Sequence, residues 1–177
     1  MIRILDFILS LFLIISLSPL FLIVSLINLI INKDIFFFTE RIGLNGKKIN
    51  VIKFLTIQNN EILKFGNFFR RTSIDELPQL FNILMGDMSL VGPRPYPIEN
   101  FNDTNKSDFI LRHSIKPGLT GLAQIKFTGK KRTNVEKIKI DLMLVKEFNI
   151  IIYLKILALT PKILFLRFLK NKSGNTL

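Results

Sequence analysis

A long hydrophobic stretch near the N-terminus constrains the fold of this chain more than any other feature. From Ile4 to Ile31 the only charged residue is Asp6. A continuous helix of that length would extend about 42 Å, which exceeds the roughly 30 Å hydrocarbon thickness of a bilayer. Ser18-Pro19 lies in the middle of the stretch, and proline removes a helical hydrogen bond and favours a break. The two halves would be about 22 Å and 18 Å long, so neither could span a bilayer alone.

The residues leave two membrane arrangements open for this stretch. A cleaved signal peptide is excluded, because it needs small residues at its cleavage site and no glycine or alanine precedes position 43. A kinked helix that crosses the bilayer agrees with the pattern, as does a helix that enters, breaks at the proline and returns. The returning helix would place Arg3 and Lys33 beside the headgroups of one leaflet. In either arrangement we expect Asp6 at the membrane interface, since a carboxylate in hydrocarbon is costly.

The composition indicates one folded domain with a cationic C-terminal third. The chain has 177 residues, of which 49% are hydrophobic and 21% charged, and these values exclude a disordered protein. The absence of cysteine and the single histidine exclude disulfides, cysteine-ligated metals, a cysteine nucleophile and a multi-histidine metal site. Residues 34–110 are neutral overall, whereas residues 111–177 carry fourteen basic and three acidic residues. Such a segment suits an anionic surface, either a phospholipid leaflet or nucleic acid.

The rest of the chain predicts a mixture of strands, loops and helices. An Asn-Gly pair between two apolar runs predicts a β-hairpin over residues 34–58, with its turn at Gly43–Gly46. Apolar spacing predicts a helix over 74–85 and helical structure over 135–170, interrupted at Pro161. The basic residues within 135–170 are typical of helices in the membrane interface, and equally of a surface helix packed on a core. The other segments are predicted as a Gly/Pro-rich loop at 86–97, an exposed polar loop at 98–108, a short strand at 122–127 and a basic link at 130–132.

The densest group of reactive and phosphate-binding residues lies within residues 70–95. One interpretation is structural, because Ser73-x-x-Glu76 fits a capping box in which Asp75 merely complements the helix dipole. Pro78 argues against a regular helix start, since its missing N–H falls where a helical hydrogen bond is needed. We therefore expect an irregular start to this helix.

The other interpretation of this region is chemical. At a helix N-terminus Asp75 would be held ionised, and an ionised carboxylate can act as a nucleophile. Arg70 and Arg71 can neutralise phosphate, and Glu76 can help to hold a divalent ion between phosphates. These residue types at this spacing indicate attack on a phosphoryl group, in which positioning and charge neutralisation supply most of the catalysis.

The loop that follows the helix adds a further anion-binding feature. Arg94 lies between two prolines, which stiffen the backbone on either side of it. Gly86 and Gly92 lie in the same loop, where their backbone N–H groups could approach an anion. The loop is therefore predicted to face the same phosphate groups as the acidic pair.

Two motifs in this region closely resemble those of the bacterial sugar transferase family, the monotopic polyprenol-phosphate phosphoglycosyl transferases. The first motif is Thr72-Ser73-Ile74-Asp75-Glu76-Leu77-Pro78-Gln79-Leu80-Phe81-Asn82, and the second is Gly86-Asp87-Met88-Ser89-Leu90-Val91-Gly92-Pro93-Arg94-Pro95. Residues 41–47, 53–54 and 116–124 also match, so the similarity covers nearly the whole chain. The length is similar to that of the minimal form, a catalytic domain with one membrane-inserted helix.

The resemblance implies an activity and a set of site residues. The family transfers a sugar 1-phosphate from a UDP-sugar to undecaprenyl phosphate through a covalent enzyme intermediate, which initiates the assembly of a surface glycan. Asp75 matches the nucleophile, and Glu76 matches its partner in a dyad associated with Mg²⁺. Basic residues that bind phosphate or nucleotide are implied at Arg70 and Arg94, with Arg71 beside them. By a looser match, Asp141 is implied in the same donor-binding group.

The resemblance also implies a fold and a location. The expected architecture is α/β, rich in helices: a compact monotopic membrane domain with a small β-hairpin and C-terminal amphipathic helices at about 135–170. Residues 1–33 would form a re-entrant helix broken at Ser18 and Pro19, and residues 34–177 a transferase domain on the cytoplasmic face of the bacterial inner membrane. The cationic C-terminal third would then contact anionic membrane lipids, and nucleic acid is not expected as a partner.

The chain departs from the family pattern at several positions. Leu55 stands where members usually have arginine, the segment at 57–65 is shorter than usual, and Leu122 replaces an aromatic residue. The Asn-Gly-Arg that commonly follows Gln124 is also missing. These departures motivate an alternative of another class, a catalytically degenerate module of the same fold that binds the membrane surface. The residues specify neither one sugar nor an oligomeric state.

The re-entrant arrangement predicts the sidedness of two engineered cysteines. The natural chain has no cysteine, so Met1→Cys (behind an added initiator methionine) and Asp34→Cys would each carry the sole reactive thiol. A membrane-impermeant maleimide should label both positions from the same side of sealed vesicles, because the helix returns to the face at which it entered. Ser18→Cys serves as a control that should react only after detergent is added. Labelling of positions 1 and 34 from opposite sides would refute this arrangement.

Overall fold

The computed structural model describes residues 1–97, 105–126 and 133–172, and it has the predicted mixed α/β fold with a majority of helix. The helices are α1 (Ile2–Ser16), α2 (Ser18–Asn32), α3 (Gly66–Thr72), α4 (Gln79–Met85), α5 (Lys106–Arg112), α6 (Leu122–Lys126), α7 (Asn134–Lys146) and α8 (Ile150–Lys172). The strands are β1 (Phe36–Ile42), β2 (Lys48–Phe54), β3 (Ile57–Gln58), β4 (Glu61–Ile62), β5 (Ser89–Val91), β6 (Tyr96–Pro97) and β7 (Gly118–Thr120).

The predicted hairpin forms two strands of the largest sheet in the described residues. Strands β1 and β2 pair antiparallel from Phe36 opposite Phe54 to Ile42 opposite Lys48, and β6 adds to the other edge of β1. The turn contains Asn45 and Gly46, both with positive φ, as the Asn-Gly signal requires. Local sequence therefore determined both the position and the register of this hairpin.

The N-terminal hydrophobic stretch forms two helices that meet at Leu17. Ser18 begins α2 with Pro19 in its first turn, where a missing N–H costs no hydrogen bond. Judged by length and hydropathy, no single described helix could cross a bilayer, but α1 and α2 qualify together as a pair bent by 63°. One face of the pair packs on the rest of the fold, and the other exposes large apolar residues, among them Phe7, Phe12, Leu22, Leu26 and Ile30.

Asp6 joins α1 to the middle and the end of the chain. Its side chain is 1% exposed. The carboxylate oxygen Oδ1 accepts hydrogen bonds from the Ser89 hydroxyl at 3.0 Å, the Leu90 N–H at 2.8 Å and the Tyr153 hydroxyl at 2.8 Å. Asp6 was predicted at the membrane interface, and that prediction was wrong. Donors within the protein satisfy the carboxylate, so it needs no contact with water or headgroups.

Two further polar residues fasten the bent helices to the fold. Arg3 donates hydrogen bonds to the carbonyls of Ile83 at 2.5 Å and Leu84 at 2.7 Å, near the C-terminus of α4. Carbonyls at a helix end lack helical donors, and a cation there complements the helix dipole. In α2, buried Asn28 donates to carbonyls on either side of the hairpin, those of Ile35 and Leu55.

Close backbone packing places the Gly/Pro-rich loop against β7. A Cβ atom on Gly118 would lie 2.0 Å from the Gly92 nitrogen, so glycine is required at that contact. The Gly92 N–H donates to the Thr120 carbonyl at 2.9 Å, and the Gly118 N–H donates to the Pro93 carbonyl at 2.8 Å. These hydrogen bonds fix the position of Gly92 and Pro93, which precede Arg94, relative to the β5–β7 strand pair.

Three of the segment predictions were wrong. The Gly/Pro-rich loop predicted at 86–97 contains the short strands β5 and β6. The strand predicted at 122–127 is helix α6, whose first turn begins where the Ile125 N–H bonds to the Gly121 carbonyl. A short apolar run has no periodicity long enough to separate strand from helix. Within the polar loop predicted at 98–108, α5 begins at Lys106 because the Asn105 side chain caps it. Residues 98–104, Phe127 and the basic link at 130–132 lie outside the described part of the chain.

The helical region at 135–170 is divided elsewhere than predicted. The break lies at residues 147–149, where the Asn149 side chain accepts hydrogen bonds from the N–H groups of Ile151 and Ile152 and caps α8. Helix α8 continues through Pro161. It buries Tyr153 and Ile156 and carries large apolar residues on its exposed side as well, including Leu154, Leu159 and Phe165.

The Asp6 interactions predict a stability loss in a variant that changes one atom. Burial and the neighbouring carboxylate raise the pKa of Tyr153, so its hydroxyl stays protonated and donates to Asp6. Tyr153→Phe should lower the free energy of unfolding by about 1 to 3 kcal/mol, because the carboxylate loses a buried donor. Chemical denaturation in detergent measures this loss. The exposed control Ser16→Ala should change it by less than about 0.5 kcal/mol, and equal stability of wild type and Tyr153→Phe would contradict the assignment.

Candidate active site

One large cavity brings the predicted motifs together. It has a volume of about 960 Å³ and lies between the face of the β1–β2 hairpin, the Ser73–Gln79 segment, the loop at 94–97 and helix α7. The residues with hydrogen-bonding or charged side chains in its lining include Thr39, Arg41, Lys53, Arg70, Asp75, Glu76, Gln79, Arg94, Arg112, Lys137 and Asp141. A cavity of this size accommodates a nucleotide-sized ligand.

The hairpin contributes one face to the cavity by simple alternation. Side chains two residues apart on a strand share a face, and the register pairs Phe37 with Lys53 and Thr39 with Val51. These four residues and Arg41 all line the cavity. The sheet thus presents two cations, Arg41 and Lys53, to the space above it.

The acidic pair lies on a tight turn between two short helices. Helix α3 ends at Ser73, whose φ of 59° is in the left-handed region, and a single 3₁₀ turn follows over Ile74–Glu76. Pro78 precedes α4 as its N-cap, where it breaks no helical hydrogen bond. The predicted irregular start of the helix is confirmed, and it directs the side chains of the turn into the cavity.

Glu76 is held by two cations and takes no part in a capping box. Its Oε1 atom accepts hydrogen bonds from Lys53 Nζ at 2.9 Å and from Arg94 Nη2 at 2.5 Å. Ser73 makes no side-chain capping hydrogen bond, so the capping-box interpretation was wrong. Although burial opposes ionisation, the attraction of Arg94 and Lys53 lowers the pKa of Glu76 from 4.5 to about 2. Glu76 therefore stays ionised throughout the physiological range.

Asp75 has the opposite electrostatic character. Burial raises its pKa from 3.8 to about 6, and repulsion from Glu76 adds to the rise, while Lys53, Arg70 and Arg94 oppose it. The expectation that a helix N-terminus would favour its ionised form was therefore wrong in direction. A single 3₁₀ turn offers little dipole, and desolvation outweighs it. At neutral pH the carboxylate is still largely ionised, and it is less stabilised than that of Glu76.

The cavity as a whole is positive. Six basic residues line it, namely Arg41, Lys53, Arg70, Arg94, Arg112 and Lys137, against three acidic residues, Asp75, Glu76 and Asp141. An excess of cations in a concave site concentrates anions there. The arrangement suits a ligand with several phosphate charges, whereas a neutral sugar alone would not need it.

The structure places the predicted phosphate-binding residues in different settings. Arg70 and Arg94 line the cavity together with the acidic pair. Arg71 is exposed on α3, outside the lining of the cavity. The expectation that Gly86 and Gly92 offer N–H groups to an anion was wrong: these groups already donate to backbone carbonyls, those of Asn82 and Ile83 for Gly86 and that of Thr120 for Gly92.

Asp141 lies in the cavity wall, paired with Arg112. Its Oδ2 atom accepts hydrogen bonds from Arg112 Nε at 3.0 Å and Nη2 at 2.6 Å, and both side chains are almost completely buried. Burial raises the pKa of Asp141, and Arg112 opposes that rise. Burial also lowers the pKa of His113 to about 4, so the neutral ring donates from Nδ1 to the Phe109 carbonyl. Both ring nitrogens of His113 therefore contact groups of the protein.

Sequence reasoning assigned no role to four of the six basic residues that line the cavity, Arg41, Lys53, Arg112 and Lys137. Lys53 was noted within a matching motif, but its place beside Glu76 follows from the hairpin register. Its signal was the alternation of Val51 and Lys53 on one strand face, since a lysine on an otherwise apolar face must find a partner. Arg112 had no comparable signal, because its partner Asp141 lies 29 residues away.

The carboxylates fit a divalent ion only as part of a larger donor set. Within the described residues no group of three or more His, Asp or Glu side chains could hold a metal ion. Asp75 and Glu76 supply oxygen ligands and repel each other, as the pKa of Asp75 shows, and a cation would relieve this repulsion. Mg²⁺ commonly binds with one or two protein carboxylates, waters and substrate phosphates. These two side chains match that requirement.

Comparison with known proteins places this site in a family. A sequence model described as bacterial sugar transferase matches residues 1–167. The chain belongs to the bacterial sugar transferase family. The matched residues include the bent N-terminal helices, the hairpin and all the residues that line the cavity.

Curated members of the sugar transferase family show clear similarity. A UDP-glucose:undecaprenyl-phosphate glucose-1-phosphate transferase from Klebsiella pneumoniae is 37% identical over 89% of this chain, and one from Escherichia coli K12 is 34% identical over 88%. The chain spans 38% of the length of each of these two relatives. An uncharacterized sugar transferase, EpsL, from Bacillus subtilis is 36% identical over 78% of this chain and 74% of its own length. These names favour a transferase over a membrane-binding module.

The opposite electrostatics of the acidic pair predict opposite effects on stability. Because folding raises the pKa of Asp75, stability falls as the pH rises from about 4 to about 6, and the full cost is present above that range. Asp75→Asn should therefore stabilise this sugar transferase at pH 7.5, by about 1 to 3 kcal/mol. For Glu76 the stabilisation is present above pH 4.5 and disappears as the pH falls towards 2, so Glu76→Gln should destabilise the protein at pH 7.5. Thermal unfolding at pH 7.5 measures both changes, and shifts of the same sign would contradict this assignment.

Proposed function

We propose that this chain transfers a sugar 1-phosphate from a UDP-sugar to undecaprenyl phosphate, by way of a covalent intermediate on Asp75. In the first step an Asp75 carboxylate oxygen bonds to the phosphorus nearer the sugar. The bond from that phosphorus to the bridging oxygen breaks, and UMP leaves. In the second step a phosphate oxygen of the acceptor attacks the same phosphorus. The bond to Asp75 breaks, the carboxylate is restored, and undecaprenyl diphosphate sugar is released.

The observation that carries this proposal is the difference between the environments of the adjacent carboxylates, Asp75 and Glu76. Glu76 is paired with Lys53 and Arg94, so its charge is neutralised and its position fixed. Asp75 is buried beside it, and desolvation leaves its charge less stabilised, as a nucleophile requires. Both side chains line a cavity with an excess of cations, which suits the diphosphate of a nucleotide sugar.

The residues also suit Mg²⁺ as a cofactor. Asp75 and Glu76 would hold it together with phosphate oxygens of the donor, because two carboxylates alone leave most of its ligand positions open. When bound, the ion would neutralise charge on the phosphates. Arg70 and Arg94 flank the same space and would bind the remaining phosphate oxygens.

The exposed apolar surface supports a membrane location for this reaction. Helices α1 and α2 expose a face of large aliphatic and aromatic residues, which is typical of a surface that meets lipid. We propose that the bent pair enters and leaves the cytoplasmic face of the bacterial inner membrane, and that α8 lies near anionic headgroups through its apolar residues and lysines such as Lys155 and Lys162. An acceptor with a long polyprenyl chain remains in the bilayer, so its enzyme must work at that surface.

The proposal predicts the loss of one reaction and of one covalent adduct. The full chain in detergent is incubated with Mg²⁺ and a panel of UDP-sugars that includes UDP-glucose, with and without undecaprenyl phosphate, and UMP release is measured. Wild type should release UMP from at least one donor, and Asp75→Asn should lower the rate by at least about 1,000-fold, because the nucleophile is lost. Without acceptor, the intact mass of wild type should increase by one phosphosugar.

The control for this prediction is Asp87→Asn, which changes an exposed acidic residue outside the cavity. It should keep both the rate and the adduct. Unchanged turnover in Asp75→Asn would refute the proposed nucleophile. If wild type released no UMP from any donor, the proposed transferase activity itself would be wrong.

A further inference from the structure

Arg112 is the centre of a buried hydrogen-bond network in the wall of the cavity. Its side chain is 4% exposed. Nε and Nη2 donate to Asp141 Oδ2, Nη2 also donates to the Arg94 carbonyl at 2.7 Å, and Nη1 lies 3.4 Å from His113 Nε2. The guanidinium carbon also lies 4.8 Å from the ring centroid of Tyr96. Each nitrogen of the guanidinium is thus engaged by the protein.

The contact with the Arg94 carbonyl controls the remaining freedom of the Arg94 loop. Pro93 and Pro95 have fixed φ angles, and a residue that precedes proline is itself restricted. One end of the loop is held by the hydrogen bonds of Gly92 and Pro93 to β7, and the other by Tyr96 opposite Ile42. Between these ends, the direction of the Arg94 carbonyl sets the orientation of the Arg94 peptide. Arg112 holds that carbonyl.

The orientation of the Arg94 peptide determines whether the Arg94 side chain reaches Glu76. Arg94 Nη2 donates to Glu76 Oε1, and half of its side-chain surface is still exposed. A small rotation of the loop backbone would move this long side chain away from Glu76 and from the phosphate-binding space. The network around Arg112 therefore influences the position of the Arg94 side chain next to Glu76.

Asp141 is arranged to serve Arg112, and not to bind a ligand directly. It is 1% exposed, its Oδ2 atom is occupied by two donors, and Oδ1 is buried without a hydrogen-bond partner among the described residues. A carboxylate also repels the phosphates of a nucleotide. The Asp141 carboxylate instead supplies a negative charge that fixes the orientation of the planar Arg112 guanidinium.

We propose that Arg112 and Asp141 are positioning residues that act on the reaction through Arg94, by holding its carbonyl and so aiming its guanidinium at Glu76 and the donor phosphates. This inference rests on the proposed transferase function. It differs from the sequence-based expectation for Asp141, which was direct binding of phosphate or nucleotide. It also gives Arg112 a role that the motif comparison did not supply.

A double-mutant cycle tests the proposal. The variants Asp141→Asn, Arg94→Ala and Asp141→Asn/Arg94→Ala are compared with wild type for UMP release from UDP-glucose, or from the donor of the panel that gives the highest rate. Asp141→Asn alone should lower kcat by about tenfold or more with little change in the KM for the donor. In the Arg94→Ala background the same substitution should change the rate by less than about twofold, because its effect is already lost. Effects that multiply would overturn the proposal, as would a rise in KM alone.

Arg112→Lys provides a second variant that keeps the positive charge. Lysine can pair with Asp141 but lacks the planar fork that reaches the Arg94 carbonyl at the same time. It should therefore keep thermal stability closer to wild type than Asp141→Asn does, yet lower kcat to a similar extent. If Arg112→Lys retained full kcat, the fork would have no positioning role.

Amide hydrogen exchange decides the positioning role independently of turnover. In Asp141→Asn, exchange should become faster at the amides of Gly92, Arg94 and Tyr96, while the β1–β2 hairpin keeps its wild-type rates. Uniformly faster exchange would indicate a general structural role, and unchanged exchange in residues 92–96 would remove the proposed link to Arg94. If no donor supports UMP release by wild type, the proposed function fails, and this measurement still establishes or overturns the positioning of the loop.

Discussion

The burial of one carboxylate organises this fold. Asp6 lies in the most apolar segment of the chain, and a buried charge is tolerated only when its hydrogen-bonding capacity is met. The donors that meet it come from β5 and α8, so the bent N-terminal helices, the parallel strand pair and the C-terminal helix share one polar contact. Strand β5 leads directly into the loop that carries Arg94. The position of the cavity wall is therefore linked to the same contact that fastens the hydrophobic helices.

The candidate active site also depends on how buried carboxylates are compensated, and its two adjacent carboxylates lie in unequal environments. Glu76 is compensated by two cations and stays ionised, whereas Asp75 is desolvated and only weakly compensated. Adjacent residues on a single turn can differ so much because the turn directs Glu76 towards Lys53 and Arg94, whereas Asp75 makes no direct ion pair with another of the described residues. Pairs of acids whose pKa values are driven apart in this way commonly divide the chemical roles between them.

Local signals predicted the parts of the structure that depend on local physics. The Asn-Gly turn and the flanking apolar runs were sufficient for the β1–β2 hairpin, and Pro78 was sufficient for the irregular turn that carries Asp75. Longer-range features were not accessible in the same way. Asp6 was expected at the interface because its partners lie 83 to 147 residues away, and Arg112 was overlooked because its partner Asp141 lies 29 residues away. Asn149 was a local signal for a helix start, but the break was predicted at Pro161 because proline usually interrupts a helix.

The separation between Asp6 and its partners has a consequence for how the chain is made. The ribosome releases the hydrophobic helices first, whereas Tyr153 follows 147 residues later. At the usual pace of synthesis that interval is on the order of 10 s. The Asp6 carboxylate has no native donor until Ser89 and Leu90 have been synthesised, and it lacks its third donor until Tyr153 follows. The complete set of donors that holds the N-terminal helices can therefore form only after residue 153 has been synthesised.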